Sequence, residues 1–220
     1  MFGHLADHRN PRSMAFRLRK KRLELFFEML RGLPEPVSVL DIGGVRQFWT
    51  SLAPELPVRC EITLLNLEVD PNAESAGFRS VAGDARKMEA FADGSFDVCF
   101  SNSVIEHVGT LSDQISMAKE VQRVGRYFFI QTPNRHFPIE PHFLFPLWQY
   151  LPAAVRAALL RRRSFGWMKQ TSDPLKARAE VEQIRLLNHR EMQALFPTAT
   201  IYREKVGPLT KSLIALSRRD

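Results

Sequence analysis

The sequence predicts an α/β domain built on a parallel sheet with right-handed crossovers. The apolar, β-branched run Val37 to Leu40 follows Pro34 and Pro36 and leads straight into Asp41 and the pair Gly43-Gly44. That pattern is a buried strand opening into a tight turn, where backbone N–H groups favour an anionic ligand group. Strand-like runs then recur with turn signals and amphipathic segments between them. The 220 residues, 45 % hydrophobic and 25 % charged, have the size and core content of one such domain with an insertion.

Residues 1–14 are polar. From Ala15 to Arg31, Leu23, Phe26, Phe27 and Leu30 share one helical face, and Arg17, Arg19, Lys20, Lys21 and Arg22 cover the others. Residues 1–32 thus form an N-terminal helical segment, ended by Gly32 and Pro34, that is expected to pack against the sheet, with a basic side chain available as an alternative role to cap a ligand pocket. Val45 to Ala53 is expected to be helical. Ile62 to Glu68 is a second buried strand with a polar end. An acid there, roughly 20 residues past a glycine turn, accepts hydrogen bonds from ribose hydroxyls in doubly wound sheets. Asn66 and Glu68 lie two apart and share a side, with Glu68 the favoured acceptor and Asn66 the alternative.

Phe78 to Arg86 reads as a third strand with a glycine–acid turn at Gly83-Asp84. Asp93-Gly94 marks another turn, and Phe96 to Phe100 is a fourth strand running into Ser101, Asn102 and Ser103. Met117, Ala118, Val121 and Val124 mark a helix from Ser112 that Gly125 stops. Tyr127 to Ile130 is then a fifth strand ending at Thr132-Pro133. Near the C-terminus, Asn188 and Glu191 form a capping-box pattern before a helix ending near Phe196, and Thr200–Val206 and Leu213–Leu216 read as two more strands.

The formal net charge of +7 favours anionic partners, with arginines concentrated in 9–22 and 161–163. Cys60 and Cys99 have no metal-site spacing and no disulfide framework, which fits a reducing cytoplasm. No secretory signal is expected, and the apolar run 143–160 is interrupted by Pro146, Gln149, Pro152 and Arg156, a poor membrane span.

Val39-Leu-Asp41-Ile-Gly43-Gly44, Gly83-Asp84-Ala85, Asp93-Gly94-Ser95-Phe96-Asp97-Val98 and Ser101-Asn102-Ser103-Val104-Ile105-Glu106-His107-Val108 occur in this order and at characteristic distances. Together they resemble the class I S-adenosylmethionine-dependent methyltransferases, and most of all the small-molecule branch that includes ubiquinone and glycan methyltransferases. The resemblance runs from about Val37 to Thr132. It implies a single Rossmann-like domain, 1–220, with a seven-stranded, mostly parallel sheet. Helices would cover both faces, and the two last strands would form a reversed pair with an antiparallel strand at one edge. It further implies a site for S-adenosylmethionine, with S-adenosylhomocysteine as product. Asp41 would orient the turn and meet the methionine amino group, and Gly43 and Gly44 would admit the backbone. Glu68 or Asn66 would hold the ribose. Asp84 and the Ala85 amide would meet adenine, with Met88 on its face, and Ser101 and Asn102 would line the methionine end. The chain departs from the family at Val45, where a further glycine is usual.

Residues 133–187 form an insertion that leaves a strand's carboxyl end, where ligands sit in open α/β sheets, so it is expected to be an acceptor-side lid. It carries Glu140 and His142 and a run of aromatics followed by Arg161 to Arg163. An acceptor hydroxyl needs a base within reach; His142 is the first candidate, with His107 and Glu140 the others. Glu140 and His142 would also suit a divalent cation, as related quinone methyltransferases suggest, but two ligands make an incomplete site and no metal is expected. The expected function is methyl transfer to an oxygen of a small-molecule, glycan or lipid-linked acceptor. Segment 143–163 is a candidate for peripheral contact with the inner membrane face. An RNA methyltransferase and a non-catalytic scaffold are the rivals. The +7 charge motivates the first, though no RNA-binding module is visible and nucleic acid is not the expected partner; Val45 motivates the second.

Overall fold

The computed structural model describes residues 14–74 and 77–217, with side chains from Leu18 onward. The expectation for residues 1–13 and the side chain of Arg17 lie outside the described residues. Helix α1 (Met14–Leu30) precedes β1 (Val37–Ile42), α2 (Arg46–Leu52), β2 (Cys60–Asn66), β3 (Arg79–Ala82), β4 (Phe96–Asn102), α3 (Leu111–Val124) and β5 (Gly125–Pro133). The insertion holds a two-residue hairpin, β6 (Ile139–Glu140) with β7 (Phe145–Pro146), then α4 (Ala153–Leu160) and α5 (Pro174–Glu182). Helix α6 (His189–Leu195) and strands β8 (Thr200–Val206) and β9 (Leu209–Leu216) follow.

Seven strands form one sheet in the order β3-β2-β1-β4-β5-β9-β8. The pairs β1–β2, β1–β4, β2–β3 and β4–β5 are parallel, while β9 runs antiparallel to both β5 and β8. The reversed strand therefore lies at the expected edge, inserted between β5 and the outermost strand. Apolar residues fill both faces, as buried parallel strands require. Phe26, Leu30, Val39, Trp49, Phe100 and Phe129 pack on the α1–α2 side, and Leu40, Ile42, Met117, Val121, Ile130 and Met192 on the other.

The alternation of strand and helix is looser than the sequence suggests. Segments 67–78 and 83–95 connect β2, β3 and β4 without an α-helix among the described residues. Pro71, Gly77, Gly83 and Gly94 make these stretches turn-forming and too short for an amphipathic face. Helix α5, absent from the sequence reading, has a local start signal: Asp173 accepts from Leu175 N and Lys176 N, with Pro174 in the first turn. The capping box at Asn188 and Glu191 is present as expected.

The insertion has its own apolar cluster, with Phe143 stacked on Trp148 at 4.4 Å and Phe165, Ala157, Leu160 and Val181 around them. The aromatics expected to be free for a membrane are thus divided. Phe143 and Trp148 are buried and Tyr150 is exposed, as are Leu147 in the same segment and Trp167 just beyond it. Among the described residues no helix is long and apolar enough to cross a membrane.

Candidate active site

The order of the sheet puts a switch point between β1 and β4, whose carboxyl ends diverge into different connections. The turn after β1 is built for close backbone approach. Gly43 sits at φ +72°, where a side chain would be strained, and a Cβ on Gly44 would lie 1.9 Å from Asp41 Oδ2. Asp41 is 3 % exposed, and its Oδ2 accepts from Trp49 Nε1 at 2.6 Å. Burial pushes its carboxyl up to about 7, against the pull of that hydrogen bond. Asp41 thus ties α2 to the underside of the turn. Asn66 Nδ2, at the end of β2, donates to Gly44 O at 2.9 Å and braces the turn from the other side. Val45 has φ −121° and ψ 137°, extended backbone that valine adopts readily, so no further glycine is required there.

The other candidates are spread along the same edge. Glu68 is exposed beyond the end of β2. Asp84 is held by Arg86 (Nη2 to Oδ2 2.6 Å), whose hydrogen bonds keep its carboxyl below the usual range; Ala85 beside it is half-buried. Ser101 is fully buried and its Oγ donates to Ile42 O at 3.3 Å, so it joins β4 to β1. Asn102 is exposed and accepts from Arg22 Nη1 at 2.6 Å, while Arg22 pairs with Glu204 at 2.9 Å. Met88 differs from expectation. It is 2 % exposed in the core beside α3, because the turn after Asp84 directs it inward. Between α1, α2 and these strand ends lies a cavity of about 830 Å³ whose wall includes Arg19, Arg22, Phe48, Phe100, Asn102 and Lys211. The basic face of α1 lines this pocket as expected.

A second group forms where the lid meets the end of β4. His142 Nδ1 lies 2.7 Å from Glu140 Oε1, and its Nε2 lies 3.1 Å from His107 Nε2. Glu140 is 2 % exposed, and its Oε2 accepts from the backbone N–H groups of His142 (2.8 Å) and Phe143 (2.7 Å). His107, in the 3₁₀ turn Ile105–His107 that follows β4, is exposed. The three catalytic candidates therefore come together as one carboxylate–imidazole–imidazole chain. Protein packed around much of its ring, and then the neighbouring His142, hold the partly exposed His107 down at about 4. Burial also pulls His142 down, but the hydrogen bond and charge of Glu140 outweigh it and the net direction is upward.

Glu106 was not singled out in the sequence. It is fully buried; Oε2 accepts from Thr132 Oγ1 at 3.0 Å and Oε1 has no partner. One ligand atom from each of Glu106, His107 and His142 lies within 4.8 Å of the others. Glu140, by contrast, accepts from two backbone N–H groups and faces His142 Nδ1, and it is Glu106 that groups with the two histidines.

Residues 40–127, which hold the glycine turn, Glu68, Asp84, Ala85, Ser101, Asn102, His107 and three of the central strands, match the model of a family described as a methyltransferase domain. Over that stretch, 88 of its 220 residues, the chain is similar to this methyltransferase family. An uncharacterized protein of Mycobacterium tuberculosis is 30 % identical over 136 residues, covering 54 % of this chain and 43 % of its own. The chain thus spans less than half the length of the curated relatives it matches. Among solved structures, a protein from Rhodobacter sphaeroides described as a Zn-dependent alcohol dehydrogenase aligns over 90 % of this chain and 89 % of its own (12 % identity, TM-score 0.59). A Methanosarcina mazei SAM-dependent methyltransferase aligns over 86 % and 96 % (14 %, 0.51). The 1,6-didemethyltoxoflavin-N1-methyltransferase of Burkholderia thailandensis, solved with S-adenosylhomocysteine, aligns over 97 % and 82 % (14 %, 0.53). At these identities the likeness is one of fold.

The residues at this edge of the sheet fit S-adenosylmethionine. Gly43 and Gly44 give the turn two positions without a side chain, and Glu68 offers an exposed carboxylate just past the end of β2. The domain would hold S-adenosylmethionine through the Gly43–Gly44 backbone, Glu68, Asp84 with Ala85, and Asn102. Asp41, Asn66 and Ser101 would shape the cradle from behind.

Proposed function

We propose that the protein is an S-adenosylmethionine-dependent methyltransferase acting by in-line displacement on an oxygen of a small-molecule, glycan or lipid-linked acceptor. The observation that carries the choice of oxygen is the Glu140–His142–His107 chain beside the carboxyl end of β4, since an uncharged hydroxyl must lose its proton as it attacks. Bound S-adenosylmethionine supplies the activated methyl group and departs as S-adenosylhomocysteine. In the neutral pair, His142 Nδ1–H donates to Glu140 and His107 Nε2–H donates to His142 Nε2. His107 Nδ1 then keeps its lone pair for the acceptor hydroxyl. As the new O–C bond forms, the hydroxyl proton moves to His107 Nδ1 and the Nε2 proton passes to His142. The positive charge comes to rest on the imidazole that Glu140 holds. The directions agree with this route: His142 is pushed up and His107 down to about 4, so the proton runs toward Glu140.

With a methyl-tritiated donor and fractionated small-molecule extract, H107N should lower transfer by roughly 10²–10⁴-fold, the usual contribution of general-base catalysis. Its S-adenosylhomocysteine affinity should stay at the wild-type value. Undiminished transfer would remove His107 from the reaction. A second reading rests on the orphan Glu106 Oε1 beside His107 and His142: these atoms would hold a divalent cation that orients the acceptor oxygen. Calorimetry with Zn²⁺ and Mn²⁺ separates the two, because tight binding lost in both E106Q and H107N would replace the relay.

A further inference from the structure

Glu140 also lines a second cavity, of about 170 Å³, enclosed mainly by Arg135, Trp148, Gln149, Arg156 and Arg185. That is far more than the roughly 30 Å³ of one liquid water. Three buried polar atoms of its lining residues have no partner: Trp148 Nε1, Arg156 Nε and Gln149 Oε1. Trp148 is fully buried and held between Phe143 and Phe165, with ring centroids 4.4 Å and 4.8 Å away, so its N–H has no route to bulk water. The orientation of the Gln149 amide is fixed, since its Nε2 donates to Arg135 O (2.9 Å) and Phe137 O (2.8 Å), which leaves the oxygen over. Arg135 and Arg185 share Glu191, at 3.4 Å and 2.6 Å. Arg156 donates only to the Val181 carbonyl (3.1 Å) and has no carboxylate within ion-pair distance among the described residues. The wall residues therefore carry two unpartnered donors and one unpartnered acceptor, and the Arg156 guanidinium feels Glu140 and Glu182 without forming an ion pair with either. Native interiors rarely leave such groups unmatched without a ligand or water.

We propose that this cavity receives the acidic, hydroxyl-bearing end of the methyl acceptor, a hydroxycarboxylate or a hydrogen phosphate. The oxyanion takes Trp148 Nε1 and Arg156 Nε, and the hydroxyl donates to Gln149 Oε1. The assignment to the acceptor rests on the methyl-transfer reading above, because Glu140 is shared between this cavity and the imidazole that receives the proton. Full-length protein saturated with S-adenosylhomocysteine is titrated calorimetrically with glycolate, inorganic phosphate and acetate. Glycolate or phosphate should bind saturably, and acetate more weakly because it has no hydrogen for Gln149. R156Q and W148F should each weaken the binding about tenfold, the equivalent of one charge-assisted hydrogen bond, with S-adenosylhomocysteine affinity unchanged as the check on folding. No binding of any probe, binding that both variants leave intact, or a soaked crystal with ordered water alone in the cavity overturns the proposal. Failure of S-adenosylhomocysteine to bind in the first step would instead count against the methyltransferase reading, so the two failures are told apart.

Discussion

Replacing Glu106 by glutamine should stabilise the protein in mildly alkaline solution and do little in acid. Glu106 is fully buried, one oxygen bonded to Thr132 and the other to nothing. Burial raises its carboxyl from 4.5 to about 7, against opposing pulls from its own backbone, from His142 and from Thr132. The folded pKa exceeds the unfolded one, so the folded state holds the proton longer. Stability is then undiminished below the unfolded pKa and falls as pH rises toward the folded value. A rise from 4.5 to about 7 corresponds to a loss of about 3 kcal/mol above neutrality. Glutamine keeps an oxygen for Thr132 and never ionises. E106Q should therefore gain up to ~3 kcal/mol near pH 8, or ~6–12 °C in Tm for a domain of this size, and almost nothing near pH 4. Asp41, also raised to about 7 by burial, gives the wild type a slope of the same sign, and His107 one of opposite sign at lower pH. Both are common to the two proteins and drop out of the difference. Urea unfolding of both at matched ionic strength across that range measures it. A variant no more stable than wild type near pH 8, or a difference that does not change with pH, would refute the reasoning.

Three further outcomes are expected. In E140Q, His142 loses the partner that holds its pKa up, so the rising limb of the kcat profile should move to lower pH while its plateau drops; a limb that stays put argues against His142 as the proton's destination. G44A places a methyl group 1.9 Å from an Asp41 oxygen that Trp49 already pins. It should cost about 1–3 kcal/mol of stability, as overpacking does, and abolish S-adenosylhomocysteine binding in calorimetry; near-normal affinity would mean that the turn is not the cradle. Leu147, Tyr150 and Trp167, 55 %, 52 % and 72 % exposed, stand in the same insertion as the exposed Arg161 to Arg163. The protein should therefore sediment with anionic vesicles in preference to neutral ones, and less so in W167A. Equal partitioning, or none, would sink the membrane contact.

The sheet was legible because its signals are local. A β-branched run before Asp41 and Gly43, a capping box at Asn188 and the stop at Gly125 each state their structure within a few residues. The family resemblance implies a ligand contact for Asp41 and offers Asn66 as the alternative to Glu68, but whether a polar side chain faces a crevice or the back of a turn depends on Trp49 and Gly44, which only packing brings to it. The two histidines were ranked as alternatives because 35 residues separate them; the fold makes them neighbours in one chain. Glu106 and the Trp148–Gln149–Arg156 wall had no readable signal. An unpartnered buried atom is a property of what fails to come near it, and no spacing in the sequence encodes that.

On the proposed mechanism, the placement of His107 would also make the insertion part of the chemistry. The sheet supplies only half of the base: His107 rides on the 3₁₀ turn after β4, while its partner His142 and the anchoring Glu140 come from the lid. The two halves are fastened by buried groups that touch neither ligand. Gln114 Nε2 of α3 donates to both Ile105 O (2.9 Å) and Arg185 O (2.8 Å), and Arg185 N donates to Glu106 O at 2.8 Å. Thr132, near the end of β5, holds the Glu106 side chain. A lid that swung away from the sheet would separate His142 from His107 and leave the proton no onward route to the imidazole that Glu140 holds. On the proposed mechanism, proton relay and seating of the insertion would thereby be one equilibrium, and an acceptor would be deprotonated through both imidazoles only in the arrangement that also covers it.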